Sequence, residues 1–134
     1  MRVLIVEDEV LVALEIQNVL EDLGYSVVGI AADARRARAI ADTGVDVALV
    51  DVNLRDGMTG PGIGAELAER GATVLFMTAN PAQLGAGVVG TLGVLPKPVE
   101  HHEVKQAAEY VAARHMGVSP PPPPSRMRSF EVRH

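Results

Sequence analysis

Asp46-Val47-Ala48-Leu49-Val50-Asp51 decides the fold. An unbroken aliphatic run ends on an acid, and Asp56-Gly57 soon afterwards marks a turn. A run of this kind, without polar alternation, belongs to a strand covered on both faces, as in a parallel sheet. Sheets of that type bind ligands beyond the carboxyl ends of their strands. Asp51 therefore stands where chemistry is done, and the rest of the chain is read for what gathers around it.

Upstream, Val3 to Val6 is a short apolar run ending at Glu7-Asp8-Glu9, a first strand. Asp8 is placed to cap the helix that follows. That helix carries Val12, Ile16, Val19, Leu20 and Leu23 on one face, and Gly24 stops it. Ser26 to Ile30 is a second strand. Asp33 opens a helix to about Asp42, with Ala34, Ala37, Ile40 and Ala41 inward and Arg35, Arg36 and Arg38 outward. Thr43-Gly44 turns the chain into the Asp46–Asp51 strand.

Downstream, a polar loop from Val52 to Gly60 leads to a helix over about Pro61 to Arg70, with proline acceptable in the first turn. Gly71 ends it, and Ala72 to Met77 is the fourth strand, closing on Thr78. Strand–helix alternation asks for another helix within Pro81–Gly90. Gly85, Gly87 and Gly90 oppose it, each costing about 1 kcal/mol against alanine in a helix interior. A short, mobile helix is expected there. Thr91 to Leu95 is the fifth strand, followed by Pro96-Lys97-Pro98. The last helix, about Val99 to His115, puts Val104, Ala107, Ala108, Val111, Ala112 and His115 on one face, and Gly117 stops it. The pattern predicts an α/β protein, a doubly wound five-stranded parallel sheet with five helices, over residues 1–116. Residues 117–134 are Pro-rich. Pro120 to Pro124 can only be extended polyproline, and this tail is expected to be disordered or ordered only by a neighbour.

The chain has 134 residues, no cysteine and no apolar run of membrane-spanning length. Disulfides and thiolate metal sites are excluded, no membrane association is expected, and the cytoplasm is the expected compartment. Net charge is −5, unevenly placed. From Gly117 onward three arginines face one acid, so the body carries about −7. An acidic body argues against nucleic acid and favours a cation or a basic protein partner.

Right-handed crossovers place all the strand ends on one edge, and four of those ends carry reactive groups: Glu7 with Asp8, Asp51, Thr78 and Lys97. Carboxylates without a histidine nearby suit a hard cation, Mg²⁺ above all. A hydroxyl and an ammonium opposite them suit phosphoryl oxygens, and Asp51 between is placed as a carboxylate nucleophile. Each residue alone has an ordinary reading: Asp51 a turn residue, Glu7 and Asp8 partners of a helix dipole, Thr78 a cap, Lys97 a solvated lysine. Their coincidence on one edge outweighs these.

Four stretches carry a resemblance. Val3-Leu4-Ile5-Val6-Glu7-Asp8-Glu9, Ala48-Leu49-Val50-Asp51-Val52-Asn53-Leu54, Leu75-Phe76-Met77-Thr78-Ala79 and Leu95-Pro96-Lys97-Pro98 together resemble a response-regulator receiver domain of two-component signalling, CheY-like, over about Met1 to Met116. The resemblance implies a flavodoxin-like strand order 2-1-3-4-5. It makes Asp51 the phosphoacceptor, taking a phosphoryl group from a sensor histidine kinase or a histidine phosphotransfer protein. It assigns Mg²⁺, with Mn²⁺ as a substitute, to Asp8, Asp51, the main-chain carbonyl of Asn53 and, through water, Glu7. Thr78, Ala79 and Lys97 would receive the phosphoryl oxygens, and the Lys97–Pro98 peptide would be cis, a geometry proline tolerates.

The sequence departs from the family pattern in places. Val94 stands where an aromatic switch residue is usual, so that switch is absent or uses another residue. Arg55 replaces a common proline in a loop about one residue longer. The glycine-rich Pro81–Gly90 segment lies in the usual output region and is expected to order on phosphorylation or partner binding.

Other motifs carry less. Gly85 to Gly90 matches G-x-G-x-x-G and Gly60 to Ala65 its G/A variant, but neither sits in the tight turn after the first strand that a dinucleotide site needs. His101 and His102 beside Glu100 and Glu103 read as a solvated first helical turn. A Mg²⁺-dependent phosphohydrolase using Asp51 is the enzyme alternative, yet the position of its second acid holds Asn53. The expectation is therefore a stand-alone receiver, not an enzyme beyond accepting and shedding its own phosphoryl group. It would act through a downstream protein target, and Val88, Val89 and Leu92 would admit a homodimer. A receiver fragment of a longer regulator is the alternative within the family.

Overall fold

Aliphatic runs become strands where both faces find cover, and here the cover comes from helices on either side. A computed structural model describes residues 1–130. The elements are β1 (Arg2–Val6), α1 (Val10–Asp22), β2 (Ser26–Ala31), α2 (Ala34–Ala41), β3 (Val47–Val50), α3 (Gly60–Glu69), β4 (Thr73–Thr78), a 3₁₀ turn (Pro81–Leu84), β5 (Gly93–Pro96), α4 (His101–Met116) and β6 (Arg128–Ser129). The sheet order is β2-β1-β3-β4-β5-β6. β1 to β5 are parallel, as expected, and β6 runs antiparallel to β5.

Side chains alternate between the two faces of the sheet. Leu4, Val6, Ala48, Val50, Val74 and Phe76 face α2 and α3, meeting Ala37, Ile40, Ile63 and Leu67. Val3, Ile5, Val47, Leu49, Leu75 and Met77 face α1 and α4, meeting Ile16, Leu20, Ala107 and Val111. All of β3 is buried.

Most helix ends follow the sequence. The Asp33 side chain accepts from the Arg36 N–H at 2.8 Å, capping α2. Glu100 and Glu103 form a reciprocal capping box on α4, and Gly117 ends that helix at φ 71°. α1 differs: its first flanking residue is Glu9, with no side-chain capping bond. Asp8 does not cap, because its carboxylate lies instead with those of Glu7 and Asp51.

Two larger expectations fail. Among the described residues there are four α-helices rather than five, because Pro81–Gly90 makes only the 3₁₀ turn. Gly85, Gly87 and Gly90 take φ of 54°, 126° and 84°, conformations that leave the helix and that only glycine adopts without strain. The sheet also gains a sixth strand, from the segment expected to be a disordered tail. Ser129 and Arg128 pair with Gly93 and Val94, and Phe130 packs on the α2–α3 side of the core. The rest of that tail, 131–134, lies outside the described residues.

Close packing generates a test. A Cβ on Gly64 would lie 2.4 Å from the Phe76 ring, while Gly62, two residues earlier on α3, has nothing within 4 Å. Gly64→Ala is expected to lower stability by about 1–3 kcal/mol through overpacking. Gly62→Ala is expected to raise it by up to about 1 kcal/mol through helix propensity. Urea unfolding midpoints of the two variants check the opposite signs.

Candidate functional site

Register brings the acids together. Val6 pairs with Val50 across β1 and β3, so the next residues, Glu7 and Asp51, leave the sheet side by side. Thr78 pairs with Pro96 across β4 and β5, so Lys97 follows beside it. Glu7, Asp8 and Asp51 each offer a carboxylate oxygen within 4.8 Å of the others, the one such acidic group among the described residues.

Lys97 reaches into this cluster. Its Nζ donates to Glu7 Oε1 at 2.5 Å and to Asp51 Oδ2 at 2.9 Å. Asp51 Oδ1 accepts from the Val52 N–H at 2.7 Å, and Glu7 Oε2 from the Glu9 N–H at 3.2 Å. Both carboxylates are nearly enclosed, Glu7 only 3% exposed and Asp51 8%. Burial pushes the Glu7 carboxyl up to about 7, more than the Lys97 hydrogen bond and charge pull it back. For Lys97, burial opposes the charged form, but its hydrogen bonds to Glu7 and Asp51 prevail and hold the ammonium above the ordinary lysine range. Three carboxylates around a single ammonium leave local negative charge, and an all-oxygen donor set of this kind fits a hard divalent cation.

The other residues singled out from the sequence lie near but play different parts. Thr78 is buried, and its Oγ accepts from the Asn80 N–H at 3.2 Å. Ala79 is exposed and shares a surface groove with Lys97, Glu9 and Val12. The Asn53 side chain is exposed and exchanges hydrogen bonds with Gln83, at 2.8 Å through its own amide N–H, tying the loop after β3 to the 3₁₀ turn. The Lys97–Pro98 peptide is cis. Val94 is fully buried. Its apolar cluster contains two rings, buried Phe76 of β4 and partly buried Phe130. His101 and His102 are exposed, His102 beside Glu100 at 3.3 Å, and neither approaches the acids closely enough to join their cluster.

One positioning residue was not singled out. A Cβ on Gly60 would lie 2.0 Å from the Asp51 carbonyl oxygen, and the Gly60 N–H donates to Val52 O at 3.0 Å. The start of α3 therefore rests on the backbone that carries Asp51. A glycine directly before Pro61 at the start of a helix was the available signal; nothing local says what it touches.

The chain is similar to several known proteins. The sequence pattern of the response regulator receiver domain family matches residues 3–109. The phyllosphere-induced regulator PhyR of Methylorubrum extorquens is 33% identical over 89 aligned positions, in a match that covers 64% of this chain and 33% of that protein. The crystal structure of an anti-anti-sigma factor PhyR variant from Bartonella quintana is similar at TM-score 0.68 and 29% identity, over 78% of this chain and 45% of that one. The solution structure of the PhyR receiver domain of Erythrobacter litoralis shares the fold at TM-score 0.73 and 24% identity, over 90% and 93% of the two chains. The chain thus spans about a third of the curated relative it matches and under half of the Bartonella protein.

Gly60→Ala tests the contact beneath Asp51. The added methyl meets backbone rather than a movable side chain, so a loss of roughly 3 kcal/mol is expected. Urea unfolding measures it, and an unchanged midpoint would show that α3 backs away from Asp51 freely.

Proposed function

The chain belongs to the response regulator receiver domain family, and from that premise we propose that Asp51 is its phosphoacceptor, loaded by a sensor histidine kinase or a histidine phosphotransfer protein. The observation that carries the reading is Lys97 Nζ held between the Glu7 and Asp51 carboxylates, with Asp8 alongside. A carboxylate nucleophile, an acidic cation cradle and an ammonium for the incoming anion meet at one point.

In the reaction, an Asp51 carboxylate oxygen attacks the phosphorus of a phosphohistidine. The new P–O bond forms as the P–N bond breaks, and the electron pair leaves with the imidazole. Mg²⁺ would be held by Asp8 and Asp51 with the main-chain carbonyl of Asn53 and, through water, by Glu7, with Mn²⁺ as a substitute, and it would supply charge neutralisation at the phosphoryl oxygens. Lys97 gives up its bond to Asp51 and takes a phosphoryl oxygen, so the ammonium remains paired throughout. The Thr78 hydroxyl donates to a second oxygen, and the small, exposed Ala79 leaves room for the group. The protein contributes position and charge, while the donor contributes the driving energy. Release of phosphate is hydrolysis of its own phosphoaspartate, not turnover of a substrate pool. Asn53, two residues past Asp51, cannot serve as the general acid a phosphohydrolase needs, and steady phosphate release from small phosphomonoesters would count for that rival.

A docking surface for the donor adjoins the acids. Val10, Leu11 and Leu14 of α1 are 63%, 77% and 43% exposed, an apolar patch that begins next to Glu7-Asp8-Glu9. Exposed apolar groups so grouped mark contact with another protein. Output is likewise by protein contact, a reading supported by the acidic body and by the similar Bartonella protein being an anti-anti-sigma factor. Among the described residues no helix is long and apolar enough to cross a membrane.

Asp51→Asn is expected to lower phosphotransfer from a labelled histidine kinase or phosphotransfer protein at least 100-fold, a loss of about 3 kcal/mol of transition-state stabilisation. Label retained at the wild-type rate would refute the assignment. Cation binding has its own pH signature. Coordination needs Glu7 ionised, and its carboxyl holds a proton up to about pH 7. Mg²⁺ affinity measured by calorimetry is therefore expected to rise as pH climbs from 6 to 8 and then level. Below about 7 each unit costs up to about tenfold. Glu7→Gln flattens this profile, whereas a wild-type midpoint near 4.5 would mean that burial does not reach Glu7.

A further inference from the structure

The segment Arg126–Phe130 is seated on the body at several points. Arg126 grips Glu103 through two hydrogen bonds, at 2.8 and 2.7 Å, and also donates to Pro98 O at 2.8 Å. Ser129 and Arg128 add to the β5 edge, and the Phe130 N–H donates to Leu92 O at 2.9 Å. Arg128 donates to Gly85 O at 2.8 Å and lies 5.3 Å over the Phe130 ring. That ring sits 6.4 Å from Phe76, centroid to centroid.

The body is shaped to receive this segment. A Cβ on Gly87 would stand 2.7 Å from the Phe130 ring, and one on Gly93 2.2 Å from the Arg128 carbonyl oxygen. At Gly93 the nearest atoms all belong to the tail. Charge is complementary as well: the tail is net basic, the body acidic, and Arg126 holds the Glu103 carboxyl down to about 2. The hold is nonetheless short. β6 has two residues, both exposed, and the run Pro120–Pro124 that tethers it has no backbone N–H to donate. Short, solvent-exposed ladders of this kind open easily. Once lifted, the tail leaves a bare β5 edge, a ring-sized hollow over Phe76 and a Glu103 without its arginine, which together are a ready template for strand addition.

We infer that the trough formed by the β5 edge, the Pro81–Gly90 loop and the first turn of α4 binds an extended Arg-x-Arg-x-aromatic segment of a partner protein, and that Arg126–Phe130 is its resident occupant, which must leave first. The site is separate from Asp51 and does not depend on the phosphoacceptor reading.

The probe is a fluorescein-labelled peptide of sequence Pro-Ser-Arg-Met-Arg-Ser-Phe, followed by anisotropy against the full chain. Binding to the Phe130→Ala chain is expected to be at least tenfold tighter than to wild type, and lost when the peptide's phenylalanine becomes alanine. Arg126→Glu, which loosens the tail without emptying the core, should also open the site and covers the case in which Phe130→Ala fails to fold. Gly93→Ala, whose methyl blocks any strand on β5, should bind no peptide. Equal binding to wild type and opened chains, indifference to the peptide's ring, or binding to Gly93→Ala would overturn the inference. So would a wild-type dimer in analytical ultracentrifugation that Phe130→Ala dissolves, since the trough would then belong to a second copy.

Discussion

The ammonium of Lys97 between Glu7 and Asp51 is the interaction on which the site depends. Two carboxylates nearly removed from water, with a third at hand, repel one another and lose hydration. A single short-range cation answers both costs. Breaking one partner of such a buried pair typically costs about 3–5 kcal/mol, because the survivor is left charged and unpaired. The pair is also incomplete as a neutraliser: three acids outnumber one lysine. The fold holds this imbalance in place through strand register, with β1 and β3 delivering the acids and β5 the lysine from the far side of β4.

Glycine shapes the surroundings of this pair as much as charge does. Gly60 lets α3 rest on the Asp51 backbone, and Gly64 lets the same helix close over the Phe76 ring. Phe76 in turn supports Phe130, 6.4 Å away between ring centroids. The start of α3 and the Phe76 ring are thus packed closely against their neighbours, while Phe130 rests on that ring from the chain's far end.

Much of this was legible in the sequence. Continuous aliphatic runs identified the parallel strands because both faces of each are covered, and the groups at the strand ends identified the site because topology leaves them one edge to share. What was not legible depended on contacts between distant segments. Asp8 has the composition of a helix cap, but its carboxylate joins two acids brought to it by other strands. Alternation asked for a helix within Pro81–Gly90, and three glycines at positive φ decided otherwise. Arg128 and Ser129 carry no periodicity that marks a strand. They pair because Gly93 offers a bare backbone and Gly87 a place for the neighbouring ring, and neither fact is visible in the tail's own composition.

The antiparallel sense of β6 has a geometric consequence. Met1 enters the sheet at the edge opposite Asp51, and β6 carries the chain back toward that same edge, so that Phe130 ends beside Leu92, just ahead of β5. Both ends of the described chain therefore emerge on the side away from the acids. Neither Met1 nor Phe130 therefore stands in the way of a protein approaching the edge that carries Asp51.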